Sequence, residues 1–206
     1  MYLFFKIVCG KNANAYLDFK DNYFSYSEND IKELYKNSTG IHSSRETDLN
    51  ARCVDNILKN VTGTEVLDVA CGKGFLALLL AQQGHKVTAC DFIDTISTSV
   101  EHTKIKFVQS DICDLSFENK SFDTVISTHT LEHCEDISSA ISELRRVARN
   151  RIIIVVPRQR PCKYSFDFHI HFFPFKITLL SLLGARGRKY KLKLLSGDWF
   201  YVEDIE

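Results

Sequence analysis

Two short runs concentrate groups able to do acid–base or metal chemistry. The first is His129-Thr-Leu-Glu-His-Cys-Glu-Asp136, which carries His129, Glu132 and His133. The second is Ser165-Phe-Asp-Phe-His-Ile-His-Phe-Phe-Pro174, which carries Asp167, His169 and His171. If residues 129–133 form a helical turn, His129, Glu132 and His133 share one face. If the second run is extended, His169 and His171 point the same way. Brought together, Glu132, His133, His169 and His171 make a divalent-metal site of imidazoles and a carboxylate. Alternatively one histidine (His129, His133 or His169) works alone as a general base, since imidazole titrates near working pH. A third option is that the histidines only pack. His-x-x-Glu-His is also the inverted zinc-protease motif. That chemistry needs a long zinc-binding helix and a further ligand downstream, whereas this run leaves a strand ahead of a helix capped by Asp136.

A second set of groups lies upstream. The run Asp68-Val-Ala-Cys-Gly-Lys-Gly-Phe75 places Gly72 and Gly74 where a backbone must approach a ligand closely and turn into a helix. Gly72-x-Gly74-x-x-Ala77 meets the relaxed dinucleotide fingerprint, which alone is a weak signal. Asp68 argues against a pyrophosphate there, because an unpaired carboxylate would repel it. It would attract an ammonium or a sulfonium instead. Asp91 is placed to accept hydrogen bonds from both hydroxyls of a ribose, and Asp111 from an adenine amino group.

These residues need strands to carry them. Buried or alternating runs predict strands over 65–70, 86–91, 106–111, 121–127 and 151–157. Helical spacing predicts helices from about Leu49 to Asn60, from Phe75 to a stop at Gly84, and along the stripe Ile137, Ala140, Ile141, Leu144 and Val147. Strands alternating with helices mean a parallel sheet wound on both faces. The tail differs: a short helix over 177–184 precedes "KYKLKLL", "SG" and "DWFYVED", an antiparallel hairpin at a sheet edge. Residues 1–43 are rich in Tyr, Phe, Asn and Asp with weak periodicity. They read as an irregular or helical arm before a core over 44–206, the whole forming one domain.

Composition narrows the partners. The 206 residues carry a formal net charge of +0, so nothing pulls the chain globally toward nucleic acid or an anionic membrane. The one basic cluster, Arg186 to Lys193, reads as the solvated side of a strand. Seven cysteines without a Cys-x-x-Cys pair fit reduced, mostly buried thiols in a cytoplasmic protein. The first residues, "MYLFFKIVCGKN", lack the marks of a signal peptide. No apolar run approaches the ~20 residues that span a bilayer.

From about Arg45 to the end, the chain resembles the class I S-adenosylmethionine-dependent methyltransferases. "VLDVACGKG" is similar to their first motif, with Ala70 and Cys71 where glycines are often found. "TACD", "VQSDICDLSF" and "SFDTVISTHTLEH" resemble the next three. The resemblance implies a Rossmann-like, doubly wound, seven-stranded sheet, mostly parallel, with an antiparallel C-terminal hairpin strand. It implies S-adenosylmethionine as cofactor. Asp68, Gly72 and Gly74 would hold its methionine end, Asp91 its ribose, and Asp111 and Ile112 its adenine, with Phe92 packed alongside. Arg45, Ala70 and Thr128 complete the cofactor positions. In such proteins the His of "LEH" often serves packing. The two histidine runs also resemble the metal sites of 2′-O-methyltransferases acting on small RNAs and of ubiquinone-pathway O-methyltransferases. His129 here replaces their first carboxylate.

A hydroxyl is a poor nucleophile at neutral pH and needs a base or a metal. A histidine-lined site therefore favours O-methylation of a small molecule or glycan precursor over methylation of a thiol or amine. The alternatives are a nucleic-acid methyltransferase, disfavoured by the neutral charge, and a cofactor-binding partner subunit without catalysis, disfavoured by the intact glycine loop.

Overall fold

The computed structural model describes residues 2–37, 45–93 and 105–206. The expected boundary between arm and core, at 43/44, lies outside them. Seven strands form one sheet: β1 (Glu65–Val69), β2 (Lys86–Asp91), β3 (Lys106–Gln109), β4 (Phe122–Thr128), β5 (Ala148–Pro157), β6 (Lys189–Leu195) and β7 (Asp198–Asp204). Their order is β3-β2-β1-β4-β5-β7-β6. The first five pair in parallel, whereas β7 runs antiparallel to β5 and β6 antiparallel to β7. The parallel sheet and terminal hairpin are those that the strand pattern predicts, and the α/β, Rossmann-like, seven-stranded arrangement is the one that the resemblance implies.

The helices beside the sheet are α4 (Ala51–Asn60), α5 (Phe75–Gln82), α6 (Ile137–Val147) and α7 (Lys176–Leu182). β5 shows why both faces must be covered. Ile152, Ile154 and Val156 pack toward α6 and α7, while Ile153 and Val155 pack toward α4 and α5. All five are fully buried, as a period-two strand buried on both faces requires. The stripe predicted on α6 is buried throughout, and the Asp136 carboxylate caps this helix by accepting the Ser139 amide at 3.0 Å. β5 starts at Ala148 rather than Arg151, because α6 runs into it without a loop.

The hairpin turns at Ser196 and Gly197, both at positive φ, the geometry of a tight primed turn. β6 is one of the two edge strands, opposite β3. Lys189, Lys191 and Lys193 stand exposed along it, which discourages pairing with another strand and agrees with a solvated reading of the basic cluster. All seven cysteines are free thiols, four of them buried. Among the described residues no helix is long and apolar enough to cross a membrane.

The N-terminal arm is helical: α1 (Tyr2–Cys9), α2 (Ala13–Asn22) and α3 (Glu28–Asn37). It has its own small core. Phe5, Cys9, Ala13, Tyr16 and Phe19 gather on Phe168, which follows β5. The Tyr16 and Phe168 rings stack at 4.7 Å. Lys20 reaches the same segment, donating to the Cys162 carbonyl at 3.0 Å.

Candidate active site

A cavity of about 680 Å³ opens beyond the carboxyl ends of the strands, where open α/β sheets bind ligands. One wall comes from the loops after β1, β2 and β3: Ala70, Gly72, Asp91, Phe92, Asp111 and Ile112. The other comes from the loop after β4, with His129, Thr130 and His133. The arm roofs it through Tyr23, Phe24, Tyr26, Glu28, Ile31 and Tyr35. Eight of the residues singled out in the sequence therefore line one space. Asp68 lies behind the glycine loop and is buried. Gly74 caps the start of α5. Thr128 ends β4. Arg45 stands outside the cavity, with an exposed side chain 3.9 Å from Asp48 and its carbonyl accepting the Lys73 ammonium.

The glycine loop is held by Asp91, whose Oδ2 accepts the Gly72 amide at 2.9 Å and whose Oδ1 accepts the Ile93 amide at 3.1 Å. Gly72 adopts φ 52, and Ala70 is forced into the same left-handed region at φ 57, costly for a residue with a Cβ. Asp68 has one carboxylate oxygen buried with no hydrogen-bond partner among the described residues. Burial, and then the charge of Asp91, push its carboxyl up to about 7. A buried, under-satisfied acid beside a second one suits a cationic group. The ammonium end of S-adenosylmethionine fits that requirement.

The two histidine-bearing loops meet. The Glu132 carbonyl accepts the amides of Ile170 at 2.9 Å and His171 at 3.0 Å. Glu132, His133 and His169 offer ligand atoms within 4.8 Å of one another. Both Glu132 carboxylate oxygens are buried without a hydrogen bond among the described residues. Burial works against its charge, yet His129, His133 and His169 together hold the carboxyl below its usual range. His169 Nε2 lies 3.9 Å from Glu132 Oε1, while its Nδ1 faces the Gln159 side-chain carbonyl. Burial and the neighbouring His133 push His169 down to about 4, so its imidazole is neutral and able to act as a ligand. These donors fit a divalent cation. His171 does not join them, because the segment is irregular rather than a strand. The extended geometry expected to align it with His169 does not form.

His129 plays a different part. It sits at φ 51, with Nδ1 3.4 Å from Glu132 Oε1 and Nε2 3.5 Å from Asp198 Oδ2. Burial opposes its charge, but the two carboxylates raise it to about 10. It is an imidazolium between two acids, which makes it unsuitable as a base at neutral pH. Asp198 belongs to the terminal hairpin, and no local pattern announced it.

The chain is similar in sequence and in fold to known methyltransferases. A family model described as "Methyltransferase domain" matches residues 67–156. A protein named "Ubiquinone biosynthesis O-methyltransferase" from Rickettsia canadensis (strain McKiel) is 36% identical over 103 residues, covering 47% of this chain and 43% of its own. An "Uncharacterized methyltransferase" from Mycobacterium tuberculosis (strain ATCC 25618 / H37Rv) is 38% identical over 87 residues, covering 40% and 44%. The chain thus spans less than half the length of these curated relatives. Among solved structures, the PH0226 protein from Pyrococcus horikoshii OT3 superposes with a TM-score of 0.63 at 20% identity, over 75% of this chain and 89% of that one. Magnesium protoporphyrin IX methyltransferase from Synechocystis PCC 6803, solved with bound SAH, gives 0.59 at 18% identity over 93% and 98%. Residues 67–156 thus match a methyltransferase domain, and they lie on a sheet with the fold of solved methyltransferases.

Proposed function

We propose that this protein transfers the methyl group of S-adenosylmethionine to a hydroxyl of a small molecule, a glycan precursor included. The observation that carries this reading is one cavity with strand-end carboxylates on one wall and the Glu132-His133 loop on the other. In this scheme Asp68 meets the ammonium, Asp91 the ribose, and Asp111 with Ile112 the adenine. Residues 1–206 act as a single domain in which the arm is a lid that keeps water from the reacting groups. The relatives named as ubiquinone biosynthesis O-methyltransferases support an oxygen acceptor. Neutral net charge weighs against nucleic acid.

Methyl transfer is an in-line displacement, so the protein must align the acceptor oxygen and take its proton. Glu132, His133 and His169 would hold a divalent cation. Bound there, such an ion would lower the pKa of an acceptor hydroxyl. His129 balances the Glu132 and Asp198 carboxylates. A second reading keeps His133 as a lone base, favoured by its place on the cavity wall. The test is release of S-adenosylhomocysteine from S-adenosylmethionine with catechol and with simple sugars, with and without a chelator. Release that a chelator stops supports the cation, and release that it leaves unchanged supports the lone base. No release with any hydroxyl acceptor refutes the proposal.

A further inference from the structure

Helix α3 sends one side chain into the heart of the site. The Tyr35 hydroxyl oxygen lies 2.8 Å from His133 Nδ1. The Phe168 carbonyl oxygen lies 3.1 Å from the same nitrogen. A carbonyl can only accept, so Nδ1 carries the hydrogen, and in the neutral ring Nε2 is then the nitrogen with the lone pair. A protonated Nδ1 cannot accept from a phenol, so the Tyr35 oxygen is a second acceptor for that same N–H. The Tyr35 ring also meets three others edge-on: Phe92 at 5.8 Å, His133 at 5.6 Å and Phe168 at 5.4 Å. These come from the loops after β2, β4 and β5. The tyrosine therefore sits where the cofactor wall, the histidine loop and the arm's own core converge.

We propose that Tyr35 is a positioning residue: its phenol oxygen shares the Nδ1–H of His133 with the Phe168 carbonyl and holds the ring in place, so that the N-terminal arm supplies part of the reaction centre. This rests on the reading that His133 acts on the acceptor, as ligand or as base. In either role the working atom is Nε2, and its lone pair is available only while Nδ1–H is held. The phenol is suited to the task because an ordinary tyrosine hydroxyl is neutral near pH 7. A neutral oxygen can accept from Nδ1–H without competing for a proton.

The experiment is ¹⁵N-histidine NMR on the whole protein, wild type and Y35F, with S-adenosylhomocysteine bound. Phenylalanine keeps the three ring contacts and removes only the oxygen. In wild type, His133 should show one tautomer, protonated at Nδ1. In Y35F only the Phe168 carbonyl is left to hold Nδ1–H, so a second population, protonated at Nε2, should appear beside the first, and turnover with catechol should fall about ten- to a hundred-fold in kcat. The KM for S-adenosylmethionine should stay within about twofold, a split that a merely structural loss would not give. A wild-type His133 protonated at Nε2 overturns the proposal without any variant. An unchanged spectrum with unchanged kcat in Y35F overturns it too. If wild type turns over no hydroxyl acceptor, the proposed reaction fails, while the tautomer comparison still decides the role of Tyr35.

Discussion

Asp91→Ala tests the cofactor end of the cavity most sharply. Asp91 already accepts the amides of Gly72 and Ile93, one on each oxygen. Each oxygen keeps a second lone pair, and the residue lines the cavity. A ribose donating both hydroxyls would make charge-assisted bonds, and their loss should cost about 1.5–3 kcal/mol of binding. That is roughly a ten- to 150-fold weaker affinity for S-adenosylhomocysteine. Stability of the free protein should move less, because two effects oppose. The glycine loop loses its tether, but Asp68 is relieved of the neighbouring charge that helps push it up to about 7. We expect the net change to stay within about 1 kcal/mol, inside the range of ordinary substitutions. Calorimetric titration gives the affinity and urea denaturation the stability. Unchanged affinity, or tighter binding of a nicotinamide dinucleotide, would refute the assignment of this wall.

Asp68 predicts a pH effect. Its folded value near 7 lies above the ordinary carboxylate range, so between about pH 4 and 7 the folded chain keeps a proton that the unfolded chain releases, and stability falls as pH rises. A cationic ligand needs the ionised form, so S-adenosylhomocysteine affinity should rise about tenfold per pH unit up to about 7 and then level; a flat profile would count against it. His129→Ala leaves two buried acids without their cation and should cost about 3–5 kcal/mol in denaturant melts. Because His129 is raised to about 10, its contribution is complete below about pH 6.5 and lost as pH climbs through 10, so the difference between wild type and variant should shrink at high pH. Zinc should raise the melting temperature of wild type but not of Glu132→Gln, and equal shifts would argue against the cation. His133→Ala should abolish turnover with S-adenosylhomocysteine affinity nearly intact; joint loss of stability and binding would mark a structural histidine. Amide exchange in α3 should slow when S-adenosylhomocysteine is added, and indifference would speak against a lid.

The sheet was legible because its signals are local. A run such as Ile152–Pro157 is apolar without a break, and Gly72 and Gly74 sit just before a helix. Three strand-end carboxylates could be placed from those strands alone. The arm was not legible, because its aromatics bury against residues far away in sequence. Tyr16 and Phe19 have a buried face only once Phe168 is beside them, so no periodicity within residues 1–43 records it. His129 failed for the same reason. Its partner Asp198 comes from the far hairpin, and that contact turns a candidate base into a fixed cation. His171 failed through a local assumption, since alternation aligns side chains only where a strand exists.

The Glu132 carbonyl, accepting two consecutive amides from Ile170 and His171, rivets the loop after β4 to the loop after β5. Loops on a sheet are commonly treated as interchangeable parts that a lineage or an engineer can swap one at a time. Here that freedom is reduced. A foreign 158–174 segment that failed to present two adjacent amides would strip a buried carbonyl and shift the Glu-His pair, whatever acceptor the new segment was meant to recognise. It would also remove Phe168, the platform on which the arm rests. Specificity can therefore be retuned most cheaply from the roof, where the exposed Phe24 lines the cavity beside the Tyr23 ring.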